Sequence, residues 1–437
     1  MSVFPQSGTV LLRNATVPTA VLPGTDSGEA LQKLDILIAN GEIEAIHAAG
    51  RGAAADVPTH DLDGGLVLPA FVDLHTHLDK GHIWPRMPNP DGTWLSALLT
   101  VQADREKNWA ASDVDRRMDF SLRCAYAHGT AAIRTHLDSA PPQHEITWEL
   151  FERMRERWAG RIELQAVSIV GPDELLDAGT LDSIARQVQA SGGILGGSVA
   201  VHPDARLAML RTVEKAGELG LDLDLHCDET GEPESSALRH LADVVIETGY
   251  KGRVVAGHCC VLAVQDEKIA MGTIERVAEA GIAVVSLPIC NMYLQDRSNG
   301  NGVRTPRWRG VTLLNELKAA GVPVAIASDN TRDPFYAYGD LDCVEVLREG
   351  ARIIHFDHPQ AGAWEWVRAV GAEPAVIGGF DYEAEIAVGT SADLVLFRGR
   401  DWTELLARPQ SDRVVLRGGK PIDTTLPDYR ELDDLME

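Results

Sequence analysis

The chain has 437 residues, 45% of them apolar and 24% charged, with a formal net charge of −25. That length and balance suit a globular protein with one large and one smaller domain, and the acidity excludes the basic footprint that nucleic-acid binding requires. No apolar run reaches the ~20 residues of a membrane span, and residues 1–17 lack a basic region followed by an apolar core. No membrane partner and no signal peptide are therefore expected, and a cytoplasmic location is.

Residues 9–17 and 34–43 read as short strands, the second carrying the Asn40-Gly41 hairpin signal. A similar texture returns at 392–397 and 413–420. Two β-rich ends predict one small β domain, a β-sandwich built from residues 1–64 and 385–437, around a larger unit of residues 65–384. Within that unit, strand-like runs cover 66–77, 130–136, 162–168, 194–202, 221–226, 253–258, 282–287 and 322–329. Helical patterns run from Ser112-Asp113 to about His128, begin again at Asp204, and include 273–280. Strands alternating with helices over roughly 250 to 300 residues predict an α/β fold, a closed (β/α)8 TIM-type barrel. A doubly wound open sheet would carry a glycine-rich phosphate turn after its first strand, where His75-Thr76-His77 stands instead. The six cysteines form no Cys-x-x-Cys pair and read as reduced, buried thiols.

Side chains alternate along a strand, so His75 and His77 leave the same face. Two neutral imidazoles so placed can take adjacent positions around Zn2+ or Fe2+. Alone, such a pair is more often two polar residues at a strand end. Here three later strands end in compatible ligands, His226, His258 and Asp329, and barrel active sites lie at those ends. Taken singly, His258 reads as a core histidine and Asp329 as a helix N-cap; together they point to a metal site.

At these residues the chain resembles the amidohydrolase superfamily, in particular the cytosine deaminase branch. The matching segments are Leu74-His75-Thr76-His77-Leu78-Asp79, Leu225-His226-Cys227-Asp228-Glu229, Gly257-His258, Asn291 to Arg297, and Ser328-Asp329-Asn330. The resemblance implies that His75, His77, His226 and Asp329 hold one divalent metal ion per subunit, Zn2+ or Fe2+. It further implies that Asp329 accepts the proton of an activated water and that His258 polarises the hydroxide. Glu229 would move protons to a ring nitrogen and then to the leaving amine, releasing ammonia from a small N-heterocycle. Homo-oligomers are the rule in this branch, so one is expected here. Two-metal members carry a lysine at the end of the fourth strand; here that run ends Ala200-Val201-His202-Pro203, which implies one metal and disfavours cyclic-amide opening. The unrelated zinc deaminase fold needs Pro-Cys-x-x-Cys, and Pro288-Ile289-Cys290 has no second cysteine.

Cytosine deaminases place a glutamine after the third strand, where this chain has Ile169-Val170-Gly171-Pro172. Their second aspartate is Asn330 here and their tryptophan is Phe335. Losing such a partner changes discrimination by orders of magnitude, so a substrate larger than cytosine is expected, a pterin first, with aminopurines and aminotriazines after it. Asn291, Gln295, Gln102 and Arg297 are candidate loop contacts, Trp84 and Trp94 candidate stacking residues, and His136 and His202 candidate pocket residues. Two competing readings remain. One is removal of an N-alkylamine from an aminotriazine, suggested by residues 327–333; the other is a binding protein that kept the barrel and lost the chemistry.

Overall fold

The computed structural model describes residues 8–25, 28–52, 57–297, 303–359, 362–409 and 412–437. The first residues of the expected β domain, 1–7, lie outside them. The strands in chain order are β1 (Thr9–Pro18), β2 (Leu31–Ala39), β3 (Glu42–Ala48), β4 (Thr59–Asp61), β5 (Val67–Pro69), β6 (Phe71–Thr76), β7 (Thr130–Asp138) and β8 (Glu163–Ile169). They continue as β9 (Leu195–Val199), β10 (Leu223–Cys227), β11 (Val254–His258), β12 (Ala283–Ser286), β13 (Val324–Ile326), β14 (Leu394–Phe397), β15 (Arg413–Arg417) and β16 (Lys420–Pro421).

From β6 to β13 all pairing is parallel, in a sheet β6-β7-β8 and a sheet β9-β10-β11-β12-β13. A parallel bridge from Val167 to Ile194 joins β8 to the second sheet, and another from Thr76 to Asp329 returns from the segment after β13 to β6. Every residue of β7, β10, β11 and β12 is buried. That suits the largely apolar sequences of β11 and β12, since a parallel strand is covered on both faces, while β7 and β10 also bury Arg134, His136, Asp138, Asp224 and His226. Each fully buried Leu, Ile or Val there contributes about 1.5–3 kcal/mol.

The crossovers are helical, among them α1 (Trp94–Asn108), α2 (Ala111–His128), α3 (Gln143–Trp158), α4 (Pro172–Leu176), α5 (Ala178–Ala190), α6 (Ala205–Leu219), α7 (Ala237–Thr248) and α8 (Glu267–Ala280). Helix α2 buries Val114, Met118, Leu122 and Ala125, an i, i+4, i+8, i+11 stripe. It stops at Gly129, whose φ of +100° a side chain would oppose. No helix among the described residues is long and apolar enough to cross a membrane. All six cysteines are buried and free.

Both ends of the chain meet beside this unit. One sheet runs β3-β2-β1-β4, and another, β16-β15-β14-β5, draws strands from both ends. The apolar run at 66–74, expected as one strand, is in fact two. Val67–Pro69 pairs antiparallel with β14, whereas Phe71 onward pairs parallel with β7. The change of partner occurs at Ala70, whose N–H bonds to Asp393 O while that of Phe71 bonds to Gly129 O, both at 2.9 Å. Pro69, with no N–H to give, ends the first piece. The fourth run of the parallel unit also ends early: β9 stops at Val199, and His202 sits half-buried in the following loop, where its Nδ1 accepts from Asp204 N–H at 3.1 Å.

Candidate active site

Four side chains from three separate stretches converge beyond the C-terminal ends of the parallel strands. His75 lies near the end of β6 and His77 one residue past it, His226 is the penultimate residue of β10, and Asp329 follows β13. Asp329 is tied down by its own N–H bonding to His75 O at 2.9 Å. His75 Nε2 and His226 Nε2 are 3.1 Å apart, His226 Nε2 and His77 Nε2 3.2 Å, and His77 Nε2 and Asp329 Oδ1 3.2 Å. His75 Nε2 and Asp329 Oδ1 are 3.7 Å apart. Gly257 permits this crowding, because a Cβ there would stand 2.9 Å from His75 Cε1.

These atoms fit a metal ion. Ligands bound tetrahedrally at about 2.0–2.2 Å are about 3.3–3.6 Å from one another, close to the observed spacings. Both Asp329 carboxylate oxygens are buried without a hydrogen-bond partner. Burial, and then the charge of Glu229, pushes the Asp329 carboxyl well above its usual range, so an ionised Asp329 requires a compensating cation. Burial likewise holds His75, His77 and His226 well below the usual imidazole value, in the neutral form that ligates metals. Buried side by side with no cation between them, these groups would be a cluster of unmet lone pairs.

His258 closes β11 with φ +68°, and Asp228 and Asp329, just past their strands, have φ +53° and +65°. A left-handed backbone at a non-glycine costs roughly 1–2 kcal/mol, and here it recurs at three strand ends that face one cavity. Asn291 Nδ2 lies 3.0 Å from His258 Nδ1. With the amide donating there, the ring proton resides on Nε2, which is buried without a partner. Burial holds the ring's pKa down at about 3, so it is a neutral donor.

Glu229 is buried. Its Oε2 accepts from Trp94 Nε1 at 2.7 Å, and its Oε1 lies 3.5 Å from both Asn291 Nδ2 and His258 Nδ1. Burial pushes the carboxyl up to about 7, against the pull of the Trp94 hydrogen bond. Glu229 and the ligand cluster open into one cavity of about 320 Å³.

The structure separates the residues suggested as substrate contacts. Gly171, Gln102, Asn330 and Phe335 line the cavity. Asn330 is already engaged, donating to Asp333 Oδ2 at 2.8 Å. Asn291 is behind Glu229 and His258 rather than on the wall. Gln295, Trp84, Arg297 and His202 are not among the lining residues. Neither is His136, which is buried with its ring centroid 3.9 Å from that of His75 and its Nε2 3.9 Å from Asp224 Oδ1. His136, His75 and Asp224 could between them hold a cation, and so could His75, His226 and His258, or His75, His77 and Asp329.

Five charged wall residues had not been singled out from sequence, Asp173, Glu174 and a cluster of three, Lys80, Arg105 and Asp138. Lys80 Nζ is 3.3 Å from Asp138 Oδ1, and Arg105 Nη1 is 3.0 Å from Asp138 Oδ2. Burial alone would lower the Lys80 ammonium, but Asp138, Asp79 and Asp333 outweigh it and keep the pKa above its ordinary value. A signal for Lys80 and Arg105 existed. Lys80 follows His77 by three residues, and Arg105 completes the stripe Trp94, Leu98, Val101, Gln102, which α1 turns toward the cavity.

Residues 178–423 match the amidohydrolase family. The chain is 54% identical over 434 residues to a pterin deaminase of Rhizobium rhizogenes, covering 99% of this chain and 98% of that protein. It is 26% identical over 378 residues to the N-isopropylammelide isopropyl amidohydrolase of a Pseudomonas species, covering 83% and 86%. The fold matches that of 5-methylcytosine deaminase from Klebsiella pneumoniae bound to 5-fluorocytosine, with a TM-score of 0.80, 23% identity, and 96% and 98% of the two chains covered.

Proposed function

Because the chain belongs to the amidohydrolase family, we propose that it is a metal-dependent hydrolytic deaminase acting on a fused amino-heterocycle of the pterin type. The observation that carries this reading is the convergence of His75, His77, His226 and Asp329 with the Glu229 carboxyl opening into the same cavity. Identity of 54% to a pterin deaminase supports the substrate class. The cavity wall agrees with it: a Cβ at Gly171 would meet only Glu174 Oε2, at 3.1 Å, so a second ring has room there. The parallel strands are read as a closed (β/α)8 barrel. The β domain is read as a sandwich of residues 1–64 and 385–437, with Val67–Pro69 added to its first piece.

His75, His77 and His226 through Nε2, with Asp329 through Oδ1, would hold one divalent ion, Zn2+ or Fe2+. Bound there, the ion supplies a water whose pKa is lowered toward ~7. Asp329 keeps Oδ2 for the water's proton. His258 donates from Nε2 to the incoming oxygen. Glu229 gives a proton to the ring nitrogen beside the amino-bearing carbon, which makes that carbon electrophilic, and the oxygen adds to it. The proton left on the added oxygen then passes through Glu229 to the amino group, the C–N bond breaks, ammonia leaves a ring carbonyl behind, and the proton taken by Asp329 returns to Glu229. One water enters and one ammonia departs. A carboxyl pushed up to about 7 can both take and give protons at neutral pH.

The test is ammonia release by the metal-loaded protein from pterin, 6-substituted pterins, guanine, cytosine and N-alkyl aminotriazines. Turnover of the pterins, reduced by about 10²–10⁴-fold in Glu229→Gln with metal content unchanged, is the expected result. Alkylamine release from the triazines alone would replace the proposed substrate. Full metal occupancy with no turnover of any of them would make the chain a binding protein.

A further inference from the structure

Trp94 is the first residue of α1, and its indole N–H is the shortest contact that Glu229 makes. Its placement is held from several sides. Thr93 caps α1 by accepting from Ser96 N–H at 3.2 Å. Asn89 Nδ2 donates at 3.0 Å both to Thr93 O and to Pro334 O, so it joins the start of α1 to the loop that follows Asp329. Gly92 N–H bonds to Asn89 Oδ1 at 2.8 Å. On that same loop, Phe335 meets the Trp94 ring edge-on, with centroids 6.2 Å apart. The tryptophan is therefore fixed before any substrate arrives.

An indole N–H donates and never accepts. It can hold one oxygen of Glu229 without competing for the proton that the carboxyl must move. Lys80 and Arg105, two charged donors on the cavity wall, pair with Asp138 instead.

We infer that Trp94 is the positioning residue for Glu229: its indole N–H pins Oε2 and so fixes the carboxyl that transfers the proton. Since Trp94 opens the helix whose inner stripe walls the cavity, proton transfer depends on that helix being in place. The inference rests on the deaminase reading for its kinetic part and on geometry alone for the rest.

The experiment combines a substrate-free and a kinetic measurement on the full-length metal-loaded protein. With ¹⁵N-tryptophan labelling, the Trp94 indole N–H resonance is identified by its loss in Trp94→Phe. It is expected downfield in the wild type and displaced upfield in Glu229→Ala. In Trp94→Phe, kcat for pterin deamination should fall about 10- to 100-fold with KM nearly unchanged, and Trp94→His, which restores a ring N–H, should recover part of the loss. An indole resonance indifferent to Glu229→Ala overturns the inference, as does a Trp94→Phe variant that raises KM and leaves kcat intact. If no heterocycle is deaminated, the function is wrong, while the indole shift still decides whether Trp94 holds Glu229.

Discussion

Asp228 and Glu229 are neighbours in the chain and face opposite ways. Asp228 turns back to the start of α7, where it accepts from the N–H groups of Ala237 and Leu238 at 2.9 Å each and from the Ser235 hydroxyl. Glu229 turns into the cavity. The left-handed backbone at Asp228 makes the division possible, and the anchored carboxylate of one residue sets where the carboxyl of the other begins.

Asp228→Ala should cost about 1–3 kcal/mol of stability by stranding those amide donors, and kcat should fall with it as Glu229 loses its anchor. Asp228→Asn, which keeps an acceptor and tolerates positive φ, should lose less of both. Denaturant unfolding and steady-state kinetics read the two effects. Unchanged stability in Asp228→Ala would mean that α7 does not need this cap.

Removing one ligand should remove the metal. His226→Ala, dialysed against chelator and reloaded, is expected to bind almost none by elemental analysis. The wild type should lose thermal stability on chelation, since its cluster is then buried without a cation, and the variant should not respond. Stoichiometric metal in His226→Ala would reassign the site to the overlapping group His75, His136 and Asp224.

Filling the space beside Gly171 should discriminate by ring size. Its φ is −78°, so a side chain is sterically free to adopt the backbone. Gly171→Leu is expected to reduce kcat/KM for pterin about tenfold or more, with a smaller effect on cytosine. Equal losses on both would show that the second ring lies elsewhere.

A pH-dependent tie joins the parallel unit to the terminal sheet. Arg413 on β15 donates to both oxygens of Asp342, at 2.9 and 2.6 Å. Burial opposes the charge on Asp342, but Arg413, His128 and the Val344 N–H overcome it and hold its pKa at about 2. Its unfolded value is about 3.9. A carboxyl depressed in the folded state stabilises above its unfolded pKa, and that contribution is lost as pH falls through the folded value. Wild type should therefore exceed Asp342→Asn by about 2–3 kcal/mol at pH 7, with the gap closing between about pH 4 and pH 2. A gap that persists at pH 2 would trace to packing instead. Arg413→Met, which strands the carboxylate, should cost about 3–5 kcal/mol.

Local pattern was enough to reveal the strand–helix alternation and the spacing of His75 and His77. Strands covered on both faces are rich in apolar residues, and strand periodicity puts residues two apart on one face. His226, His258 and Asp329 were visible for the same reason, since each ends or follows an apolar run. The tertiary structure alone decided where the 66–74 run changes partner, because Ala70 and Phe71 read the same in sequence and differ in which carbonyl lies opposite. It alone brought the ligand atoms of distant strands to 3.1–3.7 Å. It also set the walls: α1 faces the cavity with Trp94, Gln102 and Arg105, while Asn291 lies behind Glu229 and Trp84 lies away from the cavity. The rotation of a helix about its own axis and the path of a loop are set by what they pack against, and no spacing within the chain records that.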